Sequence, residues 1–324
     1  MENWQEKVSE VFTADLHCDS LFAVKKGSSL ANGRKKGHFD LPRMQSGCIS
    51  CQVLSIFVHP RWIPKHLWWR KVEKQIAILH QALDAAPESW TLAKSPQEVS
   101  ENRENGVKSL VLEIEGLHPL ESNTGKLDEL WEIGVRIYTL TWNNSNRFAH
   151  SASDDQNAGL TEDGKAIVKE IIQRGGIIDL SHSSDRTFYD ILDMDIAPLL
   201  SHSCLRSIKN SSRNATDDMV RKLGETGGII GINFFPGFLS TKSYKKVTSE
   251  NLVEHIEMAI ELGGENIAAL GSDFDGVQAL PDDIPDAASF WRIAETMNSH
   301  GISGNTISKV MGKNFLNFWI ARSE

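Results

Sequence analysis

The sequence of 324 residues lacks the features that mark several classes of protein. Positive charge is scarce, since 34 Lys and Arg stand against 43 Asp and Glu and the formal net charge is -9. Nucleic acids and anionic membranes bind basic surfaces, so we expect neither as a partner. No apolar run approaches the roughly 18 residues of a membrane span. The amino-terminal segment also lacks the basic and apolar parts of a secretion signal, which predicts a cytoplasmic protein.

Cysteine is scarce as well, with four residues in the whole chain. This number is too small for a disulfide scaffold in a chain of this length, so we expect free thiols. Cys48 and Cys51 form a C-x-x-C pair, but a structural zinc site of this type requires a second pair. We therefore expect both to be buried cysteines of a strand.

Low-complexity stretches, flexible linkers and solenoid repeats are also missing. Hydrophobic residues make up 40% and charged residues 24%, a composition typical of soluble globular proteins. We expect one domain that spans residues 1–324, because an α/β barrel of about 250 residues accommodates insertions of this size.

Eight short apolar runs rich in β-branched residues alternate with longer amphipathic segments, a pattern typical of parallel β/α proteins. The predicted strands cover residues 11–17, 48–58, 107–115, 134–142, 175–182, 197–203, 227–235 and 266–274. Helices are predicted within residues 66–86, 161–176, 216–228 and 248–264, several of which begin at a capping residue and end in glycine. Eight such units predict a (β/α)8 TIM barrel. A doubly wound open sheet is the alternative, but G-x-G-x-x-G is absent after the first strand.

Candidate catalytic residues stand at the predicted carboxyl ends of the strands, where the active site of such a barrel is built. These residues are His17, Asp19, Glu115, His182, His202 and Asp273. Each of these side chains can bind a metal ion or carry a proton. Packing alone does not explain why all of them lie on one rim, because unpaired carboxylates and imidazoles carry a desolvation penalty there. The remaining histidines fall in predicted helices or loops, or, for His118, out of phase with its strand.

The spacing of these residues predicts a site for two metal ions. His17 and Asp19 are two residues apart on a strand, so both side chains leave the same face and can bind one ion. His182 and His202 follow adjacent strands and can share a second ion. Glu115 has two carboxylate oxygens and can bridge both ions. Glu113 faces the same way and is a rival, but the strand-end rule favours Glu115, which is followed by the turn glycine Gly116. Three histidines and two carboxylates suit zinc, and less well manganese or iron.

Seven phrases occur in this order along the chain: DLHCDSL, EIEGLHPL, GLTEDGKAIVKE, IIDLSHSS, PLLSHSCLRSIKNSSRNATDDMV, GINFF and LGSDFDGV. Their ordered combination resembles a known family, the membrane or renal dipeptidases, which are metallopeptidases with an amidohydrolase-like barrel. The resemblance runs from about residue 11 to the closing GKNFLNFW segment, and the chain looks like a bacterial member.

The resemblance implies a dipeptidase that hydrolyses L-Xaa-L-Xaa or L-Xaa-D-Xaa dipeptides with water activated by two zinc ions. His17 and Asp19 match the ligands of one zinc, His182 and His202 those of the other, and Glu115 matches the bridging residue. Arg213 matches the residue that holds the substrate carboxylate, and Asp273 the acid near the water and the substrate amino group. A homodimer is also implied.

Two positions depart from the family pattern. Trp142 stands where eukaryotic members carry a histidine that polarises the scissile carbonyl, and Phe235 stands where relatives often have tyrosine. The Trp142 indole can donate one hydrogen bond, His150 can reach in from the next loop, or Trp142 simply forms a wall of the pocket. These departures make Trp142 a candidate substrate-binding residue.

Two other functions remain open at the level of sequence. The same metals support lactonase or cyclic amidase activity, which does not need the carboxylate contact of Arg213. A barrel kept as a non-catalytic scaffold is the third possibility, although all five predicted ligands are present.

Overall fold

The computed structural model describes residues 3–154 and 158–323, and its centre is a barrel of eight parallel strands. Numbered in chain order, the strands are β1 Ala14–Asp15, β2 Cys51–Phe57, β3 Trp90–Leu92, β4 Lys108–Glu115, β5 Val135–Thr139, β6 Ile177–Asp179, β7 Leu199–Ser203, β8 Ile229–Asn233 and β9 Ala268–Gly271. The barrel order is β1-β2-β4-β5-β6-β7-β8-β9, and β3 pairs with β4 outside this path.

The barrel is nearly closed by contacts between its first and last strands. The Leu16 amide donates to the Leu270 carbonyl over 2.9 Å, and the Asp19 amide donates to the Phe274 carbonyl over 2.8 Å. All eight predicted strands overlap the observed ones, so the predicted TIM barrel is confirmed and the open sheet is not. Strand β3 was not predicted.

Helices follow most strands and cover the outside of the barrel. They are α1 Trp4–Glu10, α2 Ser20–Ala23, α3 Ser28–Asn32, α4 Leu41–Ser46, α5 Trp68–Ala85, α6 Pro96–Glu104, α7 Lys126–Ile133, α8 Glu162–Gln173, α9 Asp185–Leu192, α10 Asp217–Thr226, α11 Pro236–Leu239, α12 Ser249–Gly263, α13 Arg292–Ser299, α14 Gly304–Ser308 and α15 Asn314–Ile320. No helix in the part of the chain that the structure describes is both long and apolar enough to span a bilayer.

The predicted helix ends are confirmed by their capping contacts. The Thr161 hydroxyl accepts from the Gly164 amide over 2.9 Å at the start of α8, and Thr216 does the same for Met219 over 3.2 Å at the start of α10. Helix α10 ends at Gly227, whose φ of 74° is the left-handed conformation that glycine adopts without strain.

The amino ends of the strands are filled by an apolar cluster. All eight barrel strands contribute to it, with Ala14, Cys51, Val53, Val111, Ile137, Ile177, Leu199, Ile229 and Ala269. Phe315, Phe318 and Trp319 of α15 pack against this cluster and cover it. Since this end is occupied by packed hydrocarbon, the polar strand-end residues are left at the opposite, carboxyl end.

All four cysteines are buried and free, as predicted. Cys51 begins β2, but the prediction that Cys48 lies in a strand is wrong. Cys48 lies in the turn after α4 and has a φ of 60°, which is incompatible with an extended strand.

Candidate metal centre and active site

The structure brings the five predicted metal ligands together at the carboxyl end of the barrel. Glu115 is the last residue of β4, and His202 lies near the end of β7. His17 and Asp19 follow β1, which ends two residues before His17 rather than at it as predicted. His182 follows β6.

Two residues at the site have a backbone that non-glycine residues rarely adopt. His182 has a φ of 69° and Asp273 has a φ of 62°. Such a conformation costs on the order of 1–3 kcal/mol and persists where the surrounding contacts fix it, often at functional sites. In both cases it directs a side chain inward at the point where the strand has ended.

The carboxylate of Glu115 lies at the centre of the histidines. Its Oε1 atom is 3.1 Å from His182 Nε2, 3.7 Å from His202 Nε2 and 3.9 Å from His17 Nε2. Asp19 Oδ2 lies 3.5 Å from His17 Nε2. One carboxylate therefore faces both the His17 and Asp19 pair and the His182 and His202 pair.

Each imidazole is oriented by a contact at its other nitrogen. His17 Nδ1 lies 2.8 Å from Glu113 Oε2, His182 Nδ1 lies 2.8 Å from Asn143 Oδ1, and His202 Nδ1 lies 2.8 Å from the Ser201 hydroxyl. A proton on Nδ1 leaves a lone pair on Nε2, which is the arrangement found in metal-binding histidines. The Nε2 atoms of His182 and His202, whose pKa values are lowered by burial, then present lone pairs to Glu115.

Glu113 occupies a different place from the one that a bridging residue needs. It lies behind His17, and its Oε1 accepts a hydrogen bond from Thr139. The Thr139 hydroxyl has one proton and also lies 2.7 Å from Asp179 Oδ2, so Glu113 and Asp179 share this donor; Asp179 in turn accepts from the Ser201 hydroxyl over 2.8 Å. This buried chain of hydrogen bonds connects the supports of His17 and His202. Sequence reasoning missed it because Thr139, Asp179 and Ser201 come from three different strands, and their contacts depend on how these strands pack.

The donor set fits metal ions. His17 Nε2 and Asp19 Oδ1 are buried and have no hydrogen-bond partner among the described residues. His182 Nε2 and His202 Nε2 lie 2.9 Å apart, so their lone pairs repel each other unless a proton or a cation lies nearby. Buried unpaired acceptors are costly, and cations between them remove that cost.

The residues that could bind metal form two overlapping groups whose ligand atoms lie within 4.8 Å of one another. One group is His17, Glu115 and His202, and the other is His17, Asp19 and Asp273. A Cβ atom on Gly276 would lie 2.1 Å from Asp19 Oδ2 and 2.2 Å from Asp273 Oδ1. Glycine at this position is therefore what allows the two carboxylates to approach the backbone.

At His17 burial is outweighed by the carboxylates of Glu113, Asp19 and Glu115, which raise the pKa well above its usual value, so a metal ion at Nε2 would replace a proton. Burial dominates at the other groups of the cluster. It raises the pKa of Glu115 well above its usual value, and the nearby Asp19 charge raises it further. Burial, together with the charge of Arg213, lowers the pKa of His182, which keeps this imidazole neutral. Burial also raises the pKa of Asp273 to about 6. Neutral imidazoles bind metals, and bound cations favour ionised carboxylates, so metal binding and these protonation states are coupled.

Arg213 and Asp273 lie in the same cavity as the cluster. The Asp273 carboxylate is held by Asn233, whose Nδ2 donates to Oδ2 over 2.9 Å. Arg213 is buried, donates from Nη2 to the His202 carbonyl over 3.2 Å, and has no partner for Nε among the described residues. A buried guanidinium with unused donors is suited to an anionic group of a ligand.

The cavity has a volume of about 1070 Å³. Trp142 and Phe235 both line it, and the Trp142 ring centre is 6.2 Å from that of His182. His150 is not among its lining residues, because its Nδ1 lies 2.9 Å from Asp154. Of the three interpretations of Trp142, the geometry favours a wall of the pocket.

Some cavity residues were missed by sequence reasoning. His59 was set aside as a loop residue, yet it lines the cavity, as do Asn143 and Asp275. Asn143 lies just beyond β5 and Asp275 just beyond β9, so a search that extended past each strand end would have found both. His59 lies just beyond β2, so the same search would have found it as well.

Comparison with known proteins places the chain in a family. Residues 1–323 match the family model for membrane dipeptidase, peptidase family M19. An uncharacterized dipeptidase of Schizosaccharomyces pombe is 30% identical over 298 residues, which are 87% of this chain and 73% of the relative. The dipeptidase tcpJ of Claviceps purpurea is 30% identical over 293 residues, covering 86% of this chain and 68% of the relative.

A solved structure shows the same fold. The metallopeptidase of Rhodobacter sphaeroides, liganded with a phosphinate mimic of the dipeptide L-Ala-D-Ala, superposes with a TM-score of 0.89 at 23% identity. The match covers 96% of this chain and 99% of that one.

The chain belongs to the membrane dipeptidase family, peptidase family M19. It is a hydrolase of the metallopeptidase class and a dipeptidase, as the sequence resemblance predicted. The alternatives of a lactonase, a cyclic amidase and a non-catalytic scaffold are not favoured.

Proposed function

We propose that the chain hydrolyses dipeptides with two zinc ions, one held by His17 and Asp19, the other by His182 and His202. Glu115 would contribute its carboxylate to both ions. The observation that carries this proposal is the position of Glu115 Oε1, within 3.1 to 3.9 Å of all three Nε2 atoms. Bound there, the ions supply a water of lowered pKa and polarise the scissile carbonyl.

The protein's own residues position the substrate and move the proton. Arg213 pairs with the carboxylate of the dipeptide, which limits the substrate to one residue beyond the scissile bond. Asp273 accepts the proton of the attacking water and donates it to the leaving amine. Its Oδ2 is fixed by Asn233, which leaves Oδ1 beside Asp19 for this transfer. Trp142 forms part of the pocket that receives the substrate.

The remaining parts of the proposal concern the protein as a whole. The Rhodobacter sphaeroides protein is liganded with a mimic of L-Ala-D-Ala, which supports substrates with the D configuration at the carboxyl end. The L configuration at this end is proposed from the family resemblance. Four free, buried thiols support a reducing compartment, the cytoplasm. A single domain over residues 1–324 is supported by the family match to residues 1–323. The homodimer is proposed from the family resemblance alone.

The direct test combines metal analysis with a panel of dipeptides. We expect two zinc ions per chain by elemental analysis and turnover of L-L and L-D dipeptides. Reconstitution of the metal-free protein with zinc or manganese then identifies the ion that gives the higher kcat/KM. Fewer than one metal per chain, or no turnover of any dipeptide, would contradict the proposal.

The role of Arg213 is tested with a dipeptide and its carboxamide, which lacks the terminal charge. The wild type should prefer the free carboxylate, and Arg213→Ala should lower kcat/KM for the dipeptide by about 100-fold, mainly through KM. The carboxamide should be affected much less. Arg213→Lys keeps the charge but cannot form the bidentate pair with a carboxylate, so it should restore only part of the lost kcat/KM. Equal losses for both substrates would remove Arg213 from carboxylate binding.

A further inference from the structure

Five aromatic side chains form one continuous side of the cavity, here called the aromatic wall. Its members are Phe22, Phe57, His59, Trp62 and Trp142. Adjacent ring centres lie 3.8 to 5.2 Å apart, and the His59 and Trp62 rings are stacked with an interplanar angle of 1°. The wall begins beside His182 and reaches the mouth of the cavity.

The outer part of the wall leaves a large apolar surface uncovered. Trp62 is 75% exposed and Phe22 is 40% exposed. Among the described residues, four large hydrophobic side chains are exposed, and three of them, Phe22, Trp62 and Tyr244, line this one cavity. Scattered apolar residues are normal on a surface, but their concentration at one cavity indicates a binding surface.

The carboxylate-binding candidate, Arg213, comes from the loop after β7. In the eight-strand order β7 lies across the barrel from β2, whose end and following loop supply most of the aromatic wall. The Arg213 guanidinium lies 5.4 Å from the Phe238 ring centre, and Phe235 contacts both Phe238 and Tyr244. With the substrate carboxylate at Arg213, the carboxyl-terminal residue lies on this side. The scissile bond then lies over the metal ligands, so the amino-terminal side chain is directed to the aromatic wall.

We propose that the aromatic wall is a specificity site that selects dipeptides with an aromatic or other large apolar amino-terminal residue, with Trp62 as its outer contact. This inference rests on the proposed dipeptidase function and specifies its substrate class. Aromatic rings favour edge-to-face and offset-stacked partners, which a wall of rings provides at several positions. The cavity volume of about 1070 Å³ is at the upper end of the roughly 300–1,000 Å³ common for ligand pockets, so it accommodates large side chains.

Arg61 also lines the cavity next to Trp62 and defines the competing preference. An acidic amino-terminal residue would pair with its guanidinium, whereas an apolar residue would cover the rings. Because a surface ion pair contributes little in water, whereas burial of a ring removes apolar area from it, the structure favours the apolar residue.

The experiment measures kcat/KM for Phe-Ala, Leu-Ala, Glu-Ala and Ala-Ala in the wild type and in Trp62→Ala. The wild type should prefer Phe-Ala to Ala-Ala by about 10-fold or more, since pockets discriminate by this order for small changes of apolar size. Trp62→Ala should lower the ratio of Phe-Ala to Ala-Ala by about 3- to 10-fold, the range expected for one aromatic contact. Trp62→Phe should restore part of the ratio.

Ile172→Ala is the matched control, because Ile172 is exposed on α8 and does not line the cavity. It should leave the ratio unchanged. If the wild type turns over Ala-Ala and Phe-Ala with similar kcat/KM, or prefers Glu-Ala, the specificity site is overturned. The dipeptidase proposal would still stand. An unchanged ratio in Trp62→Ala with loss of a dimer would assign the wall to a subunit contact. Absence of turnover for every dipeptide would overturn both proposals.

Discussion

The cavity has a floor, formed by the metal-ligand cluster around Glu115, and a side formed by the aromatic wall. The two differ in how firmly their side chains are held. On the floor, the imidazoles of His17, His182 and His202 are each fixed by a partner at Nδ1, and Glu115 lies among their Nε2 atoms. On the wall, rings contact one another, and Trp62 is largely exposed. Catalytic groups lose activity when they move by as little as about 1 Å, whereas an apolar contact between rings tolerates larger shifts. The hydrogen bonds that fix side chains are therefore concentrated on the floor.

If this contrast is correct, changes on the floor should affect catalysis far more than changes near the wall. The largest effect is expected for Glu115→Gln, which removes the charge that faces all three histidines. We expect a loss of more than about 100-fold in kcat/KM, since even altered partners of ligands cost about 10- to 100-fold. Metal content should fall in parallel, as measured by elemental analysis.

The control for this variant is Glu295→Gln, which makes the same chemical change at an exposed position on α13. It should retain wild-type activity and metal content. A Glu115→Gln protein with two tightly bound metals per chain would remove Glu115 from the bridging position.

The next effect is expected for Gly276→Ala, because the added Cβ would meet carboxylate oxygens of Asp19 and Asp273 at 2.1 and 2.2 Å. These side chains must move, and a displacement of about 1 Å at a catalytic centre costs about 100-fold in rate. Gly304→Ala is the control, since its Cβ meets nothing within 4 Å. Steady-state kinetics with a dipeptide compare the two, and equal activities would show that the carboxylates need not occupy these positions.

A smaller effect is expected for Glu113→Gln, which weakens the support of His17 Nδ1 without touching the centre of the cluster. Metal affinity should fall by about 10- to 100-fold, the range for such supporting residues. Excess metal should therefore restore much of the activity, which a titration with zinc measures. Unchanged affinity would mean that the Glu113 contact does not orient the ligand.

The smallest effect concerns the free energy of unfolding and its dependence on the buried residue His118. Its Nε2 lies 2.8 Å from the carbonyl of Val58, the neighbour of the wall residue His59. Burial lowers the pKa of His118 to about 4, whereas an unfolded histidine titrates near 6.5. Between these values the unfolded chain binds a proton and the folded chain does not, so stability falls as pH falls. From pH 6.5 to 5 this one group should contribute a loss of about 2 kcal/mol.

His118→Gln keeps a donor for the Val58 carbonyl but cannot titrate, so it should reduce this loss between pH 7 and 5. Urea unfolding at both pH values measures the difference. His66→Gln, at an exposed position, should show the wild-type pH dependence. Identical pH dependence in His118→Gln and the wild type would contradict the expected titration.

Sequence reasoning succeeded where a residue's role follows from its position along a strand. Periodicity predicted the eight strands and the capped helices. The rule that parallel strands end on one rim predicted the six polar site residues, which are His17, Asp19, Glu115, His182, His202 and Asp273. Sequence reasoning favoured Glu115 over Glu113 as the bridging residue from the strand-end rule, but it did not predict the role of Glu113, because both side chains leave the same face of β4. Only the packing of His17 against Glu113 shows which carboxylate lies behind the ligand.

The sequence by itself therefore determined the barrel, the identity of the polar residues at its carboxyl end and the family. The tertiary structure decided how those residues divide between the centre of the cluster and its support, and which loop residues enter the cavity. The physical reason is the distance along the chain between the residues that determine each feature. Periodicity and strand ends are local properties of the chain, whereas the contacts of Glu113 with His17 and of Trp62 with His59 depend on how strands and loops pack in three dimensions.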